Sequence, residues 1–119
     1  MRVTGIVPNL RVADIDAARD FYQGYLGLTV EGFNLGWVAN FASPDRLAVV
    51  QLVTRDASAP EDSVISAHVG KGVDEALAEA QRRGYEIVHP LTEEPWGIRR
   101  FFVRAPDGNI VNMAGHSDE

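Results

Sequence analysis

The 119 residues contain no cysteine, which excludes disulfides and thiolate chemistry. Positive charge is also scarce. Lys and Arg number 11 against 17 Asp and Glu, giving a formal net charge of −6 and a pI near 5.0. A phosphate backbone needs a basic patch, so no nucleic acid is expected as a partner. No apolar run reaches the roughly 20 residues of a membrane span, so no membrane is expected either. The opening stretch MRVTGIVPNL lacks the apolar segment of a signal peptide, and a cytoplasmic location is the expectation. The three histidines, His68, His89 and His116, show neither His-x-His nor His-x-x-x-His spacing, so no metal-ligand pair can be read from them. His89 precedes a proline and reads as part of a loop. What remains is a chain that is 45% hydrophobic, normal for a globular core, and of a length that suits one domain over 1–119.

Two segments carry helical periodicity. In DIDAARDFYQGYLG, the residues Ile15, Ala18, Phe21, Tyr22, Tyr25 and Leu26 fall on one face, Asp14 suits the N-cap and Gly27 the stop. In GVDEALAEAQRRG, the stripe is Val73, Ala76, Leu77 and Ala80, with acids in the first turn, arginines in the last, and Gly84 ending it. Strands are predicted at 4–12, 28–33, 36–42, 46–53, 63–70, 85–88, 98–104 and 109–114, with a polar linker at 55–62. Ala105-Pro106-Asp107-Gly108 reads as a turn between the last two strands. The order strand, helix, three strands thus occurs twice, in modules of about 1–54 and 63–119. Ile15 aligns with Val73, Asp16 with Asp74, Ala18 with Ala76 and Gly27 with Gly84. Neither half could bury a core alone.

Two βαβββ modules in about 120 residues resemble the vicinal oxygen chelate superfamily, which includes glyoxalase I, extradiol dioxygenases, and the fosfomycin and bleomycin resistance proteins. The opening LRVADIDAARDFYQGYLGL and the closing PWGIRRFFVRAPDGN carry the likeness. Pro95, Trp96, Gly97, Arg99, Phe101, Pro106, Asp107 and Gly108 match the branch annotated after glyoxalase and bleomycin resistance, while Arg100 and Ala105 stand where acids are usual. The resemblance implies an α+β fold, a curled mixed sheet around a cavity with helices on the outer face, and a homodimer. It also implies four metal-ligand positions, which fall here at Val7, Gln51, Val64 and Asn112. Two valines cannot bind a metal and two carboxamides are poor ligands for transition metals, so neither a metal nor another cofactor is expected.

Strand alternation sorts the side chains onto two faces. One parity, with Val50, Leu52, Ala67, Val69 and Met113, is apolar and suits packing on the helices. The other is mixed and carries Asn9, Gln51, Ser66, His68 and Asn112. It reads either as a solvated sheet surface or as the polar lining of a small-molecule site. Phe33, Trp37 and Trp96 are stacking candidates, with a core role as the alternative. Trp96 follows Glu93 and Glu94, a combination that suits a planar or cationic ligand. Arg99 is a further candidate contact, unless it pairs with an acid to fix its hairpin. His68 is the one general base available on the mixed face, or an ordinary half-buried histidine. Two functions follow: a metal-free binder of a small organic molecule, or a metal-independent isomerase, lyase or epimerase using His68.

Overall fold

The computed structural model describes residues 1–116. Contacts divide the chain into two compact units, residues 7–58 and residues 1–6 with 59–116. In the first, β1 (Gly5–Arg11) leads into α1 (Ile15–Arg19), a π-helical turn (Asp20–Tyr25), then β2 (Val30–Asn34), β3 (Val38–Ala42) and β4 (Val49–Val53). The strands lie in the order β2-β3-β4-β1, with β1 parallel to β4 and the other pairs antiparallel. In the second, β5 (Ile65–Gly70) is followed by α2 (Val73–Arg82), β6 (Glu86–Glu93), β7 (Ile98–Arg104) and β8 (Ile110–His116). Their order is β5-β8-β7-β6, with β5 parallel to β8 and the rest antiparallel. The expected α+β class and two βαβββ modules are thus what the chain adopts.

Each helix packs on one face of its own sheet. Ile15, with Ala18 and Tyr22 beside it, covers Ala39, Phe41, Val50 and Leu52. Val73, Ala76 and Ala80 cover Ala67, Val69, Phe101 and Met113. Asp14 caps α1, its Oδ1 accepting the Ala17 N–H at 3.2 Å. Gly27 (φ 78°) and Gly84 (φ 76°) end the helical segments in the left-handed conformation that only glycine adopts freely. None of the helices among the described residues is long and apolar enough to cross a membrane.

Two local expectations are corrected. The first helix does not keep its 3.6-residue period. The Leu26 N–H reaches back five residues to the Phe21 carbonyl, at 3.0 Å. That wider turn advances each residue by a smaller angle, so the stripe drifts off the core. Tyr22 stays in, whereas Phe21, Tyr25 and Leu26 are exposed at 52%, 77% and 49%. The second correction concerns β6, which runs through Pro90 rather than stopping at 88. It is the outer strand of its unit and is irregular between Ile87 and His89 and again between His89 and Thr92. Edge strands and bulges are where a residue without an N–H is tolerated. His89 is therefore a buried strand residue, not a loop residue. Residues 54–64 carry no helix or strand, yet Asp56 and Ala59 are buried, Ala59 against Phe102 and Ile110.

Candidate ligand-binding faces

Opposite α1, the first module carries a row of carboxamides. Asn9 on β1 is the register partner of Gln51 on β4, and Gln51 is the partner of Asn40 on β3. Register partners share a face, and here two of them touch: Gln51 Nε2 donates to Asn9 Oδ1 at 2.7 Å. All three are half-buried. The residues two along each strand are aliphatic: Val38 and Ala42 on β3, Val49 and Val53 on β4. Asn40 was not among the residues singled out from the sequence. Its signal was available, since it is the polar interruption in an otherwise apolar VANFA. Phe33 on β2 is the register partner of Asn40 and is 40% exposed. Trp37 is half-buried just before β3, and its carbonyl accepts from the Thr54 N–H at 2.9 Å.

In the second module the corresponding row is Ser66, Asn112 and Phe102, all buried. Asn112 Nδ2 donates to Ser66 Oγ at 2.9 Å. Asn112 Oδ1 is buried and has no hydrogen-bond partner among the described residues. A buried acceptor left unmade costs about 1–3 kcal/mol, so it points to a donor that arrives from elsewhere. His68, two residues along from Ser66, is half-buried. Its carbonyl accepts from the Thr4 N–H at 2.8 Å. Burial holds its imidazole below the ordinary value of 6.5, and repulsion from His116 adds to this. The ring is therefore neutral at ordinary pH.

The next row places His68, Ala114 and Arg100 side by side. Arg100 was noted in the sequence only as a departure from the usual acid. It centres a buried charge cluster. Its Nε donates to Glu94 Oε2 at 2.7 Å, and His89 Nε2 lies 3.2 Å from the same oxygen. The guanidinium carbon stands 4.9 Å from the Phe102 ring centre and 5.3 Å from that of Trp96. The cation beside Trp96 is thus the protein's own, and Glu94 is already matched. Arg99, one residue earlier, faces the helix instead. It forms a two-pronged pair with Asp74 on α2, at 2.8 and 3.0 Å. That pair holds the Asp74 carboxyl below its usual range. The Ala105–Gly108 turn is scaffold: the Gly108 N–H closes onto the Ala105 carbonyl at 2.8 Å, with Gly108 at φ 93°.

The positions at which the resemblance implies metal ligands are Val7, Gln51, Val64 and Asn112. The donor set does not fit. Val7 is buried and Val64 exposed, and neither offers a lone pair. Gln51 and Asn112 offer neutral amide oxygens only. Among the described residues no group of three or more His, Asp or Glu side chains could hold a metal.

The sequence matches the family model of the Glyoxalase/Bleomycin resistance protein/Dioxygenase superfamily over residues 5–113. No curated protein matches the chain at a significant level. Among solved structures it is similar to a Legionella pneumophila protein described as an NAD-dependent benzaldehyde dehydrogenase, at 19% identity and a TM-score of 0.75, covering 94% of this chain and 99% of that one. It is also similar to methylmalonyl-CoA epimerase from Mycobacterium tuberculosis, at 22% identity, a TM-score of 0.69, and coverage of 98% and 90%. At such identities the likeness carries the fold alone. A Mn(II)-bound glyoxalase from Novosphingobium aromaticivorans is 26% identical with a TM-score of 0.69, covering 96% of this chain but 39% of that one.

Proposed function

The chain belongs to the Glyoxalase/Bleomycin resistance protein/Dioxygenase superfamily, and on that premise we propose that it binds a planar organic small molecule without a catalytic metal. The observation that carries the reading is the buried, unpartnered Asn112 Oδ1 beside Ser66. A neutral acceptor fixed by its own Nδ2 bond selects a ligand N–H or O–H, not a cation needing full charge. The cationic alternative loses its main support, because Glu94 is already paired with Arg100. Native mass spectrometry of the untagged protein tests the proposal. A co-purified organic mass, lost or weakened in Asn112→Leu, is the expected result. Stoichiometric zinc, nickel, iron or manganese in the same sample would overturn its metal-free part.

A second reading is favoured by one observation. His68 is half-buried, held in its neutral form, and sits two residues from Ser66 on the same strand. A neutral imidazole can take a proton from a bound substrate. On this reading His68→Asn abolishes turnover while leaving binding intact, whereas a pure binder is indifferent to the change. For assembly, the proposal is a two-fold homodimer. It is supported by the exposed apolar side chains Ile6, Leu10, Phe21, Tyr25 and Leu26. A single monomeric species in sedimentation at tens of micromolar (roughly the range of weak dimers) would count against it.

A further inference from the structure

We infer that Asn40 is the specificity residue of the first module, and that the row it ends recognises a planar ligand edge carrying one donor next to one acceptor, as in a lactam, cyclic imide or primary amide. The inference rests on the small-molecule reading above and narrows it. Three features carry it. The first is the state of the carboxamides. Gln51 is oriented by its bond to Asn9. The Asn40 carboxamide, by contrast, makes no protein hydrogen bond among the described residues, although it is half-buried. Whichever way its amide is turned, it offers one N–H beside one C=O, so the argument does not depend on which atom is oxygen. A carboxamide pairs in two-pronged fashion with the same edge on a ligand, as Asn and Gln do with adenine.

The second feature is the seat of the amide. β2 bulges at Gly32, so that two residues of β2 stand opposite Asn40. A Cβ at Gly32 would lie 2.8 Å from Asn40 Oδ1. Any other residue there would push the amide from its place. Gly32 has φ outside the left-handed region, so backbone freedom does not require glycine at this position. The Asn40 amide lies against the bare backbone of β2, and the glycine is what lets it sit there. The third feature is the surroundings. The aliphatic residues Val38 and Ala42 flank Asn40 along its strand, and the exposed ring of Phe33 is its cross-strand partner. Val38 and Ala42 are themselves buried, so the apolar contact a flat ligand edge held by the amide would find is the Phe33 ring, on which it could stack.

The probe is isoquinolin-1(2H)-one, a planar lactam, against its N-methyl derivative, which keeps the shape and loses the donor. Both are titrated into the full chain and followed through the side-chain NH2 signals of Asn40, Gln51 and Asn112. The lactam is expected to shift the Asn40 and Gln51 signals and to bind roughly tenfold tighter than the N-methyl compound. Asn40→Leu should remove that preference. Gly32→Ala should weaken the lactam in the same direction without touching any bond made by the native protein. Equal binding of the two probes, or an unchanged preference in Asn40→Leu, overturns the assignment to Asn40. So does binding of neither probe at about 1 mM, a concentration where even a weak fragment registers. The wider reading fails separately, when no organic mass co-purifies and Asn112→Leu changes nothing.

Discussion

Replacing Glu94 by Gln keeps the shape of the side chain and removes its charge. Arg100 cannot lose its proton in response, since a guanidinium stays charged in proteins. Its side chain is 5% exposed and that of Glu94 3%, so the cation stays out of water while the carboxylate's charge is gone. Breaking a buried pair in this way costs about 3–5 kcal/mol. A 119-residue domain has roughly 6–18 kcal/mol to lose. With a urea slope of about 2 kcal/mol/M, the midpoint should fall by about 2 M. Tryptophan emission is a suitable probe, because Trp96 lies 5.3 Å from the Arg100 guanidinium. The decisive arm is the double change Glu94→Leu with Arg100→Met. Apolar side chains of similar volume should recover most of the loss, since they abolish both desolvated charges together. Recovery should stop short by about 1 kcal/mol, because His89 Nε2 loses its partner oxygen. A single Glu94→Gln change costing under about 1 kcal/mol, or a double variant no more stable than Glu94→Leu alone, would show that the fold does not depend on Glu94 and Arg100 as a buried ion pair.

Gly115→Ala should be among the most damaging small changes, because its Cβ would lie 2.2 Å from the Gly70 carbonyl oxygen, a backbone atom that cannot rotate away. The expected loss is roughly 3 kcal/mol, seen as a fall of about 10 °C in Tm, and a fall of only a degree or two would contradict that packing. Stability should also depend on His68. Its folded pKa lies below 6.5, so the unfolded chain takes up the proton first as pH falls. Its contribution is therefore complete above pH 6.5 and declines below it, and His68→Gln should flatten the urea-midpoint profile between about pH 7.5 and about pH 5. Equal slopes in the two proteins would remove the burial argument. Arg99→Met should leave ligand affinity unchanged, because Arg99 is turned to Asp74 and the helix. A loss measured by isothermal titration would return it to the site.

The architecture was legible because it rests on signals that repeat. The pattern strand, helix, three strands occurs twice, and the apolar parity of Val50 and Leu52 or Ala67 and Val69 meets a helix in each module. The failures were local. Nothing in DFYQGY announces a switch from i→i+4 to i→i+5 bonding, since the same apolar residues satisfy either on paper. Pro90 looked like a strand stop because sequence alone does not tell an edge strand from a central one. The polar face was read in outline, and Asn9 with Gln51, and Ser66 with Asn112, do meet. The charge cluster was not. Glu94, Arg100 and His89 are separated by irregular strand and loop, so no fixed period joins them, and each looks like a surface residue by itself.

The two modules answer the same structural position in opposite ways, and this bears on which of them meets a ligand. In the second, the third place in the row is filled by Phe102, fully buried, with the His89 ring edge-on at 5.3 Å and the Arg100 guanidinium against it. The ring and charges at that place are committed to neighbours, and Asn112 Oδ1 is the open acceptor of that row. In the first, the third place holds Asn40, half-buried, facing a glycine bulge and an exposed phenylalanine. An apolar residue can fill that place, as Phe102 does in the other module, whereas the Asn40 carboxamide keeps partial access to water and bonds to no other group among the described residues. A polar, uncommitted side chain at a position its own repeat shows can be apolar is accounted for most directly by a partner that binds it. The same reasoning makes Asn40→Leu a double readout: the free protein should gain stability by up to about 1 kcal/mol while affinity for the lactam falls. A variant that loses both would mean that Asn40 serves the fold, and the asymmetry between the modules would then be one of packing alone.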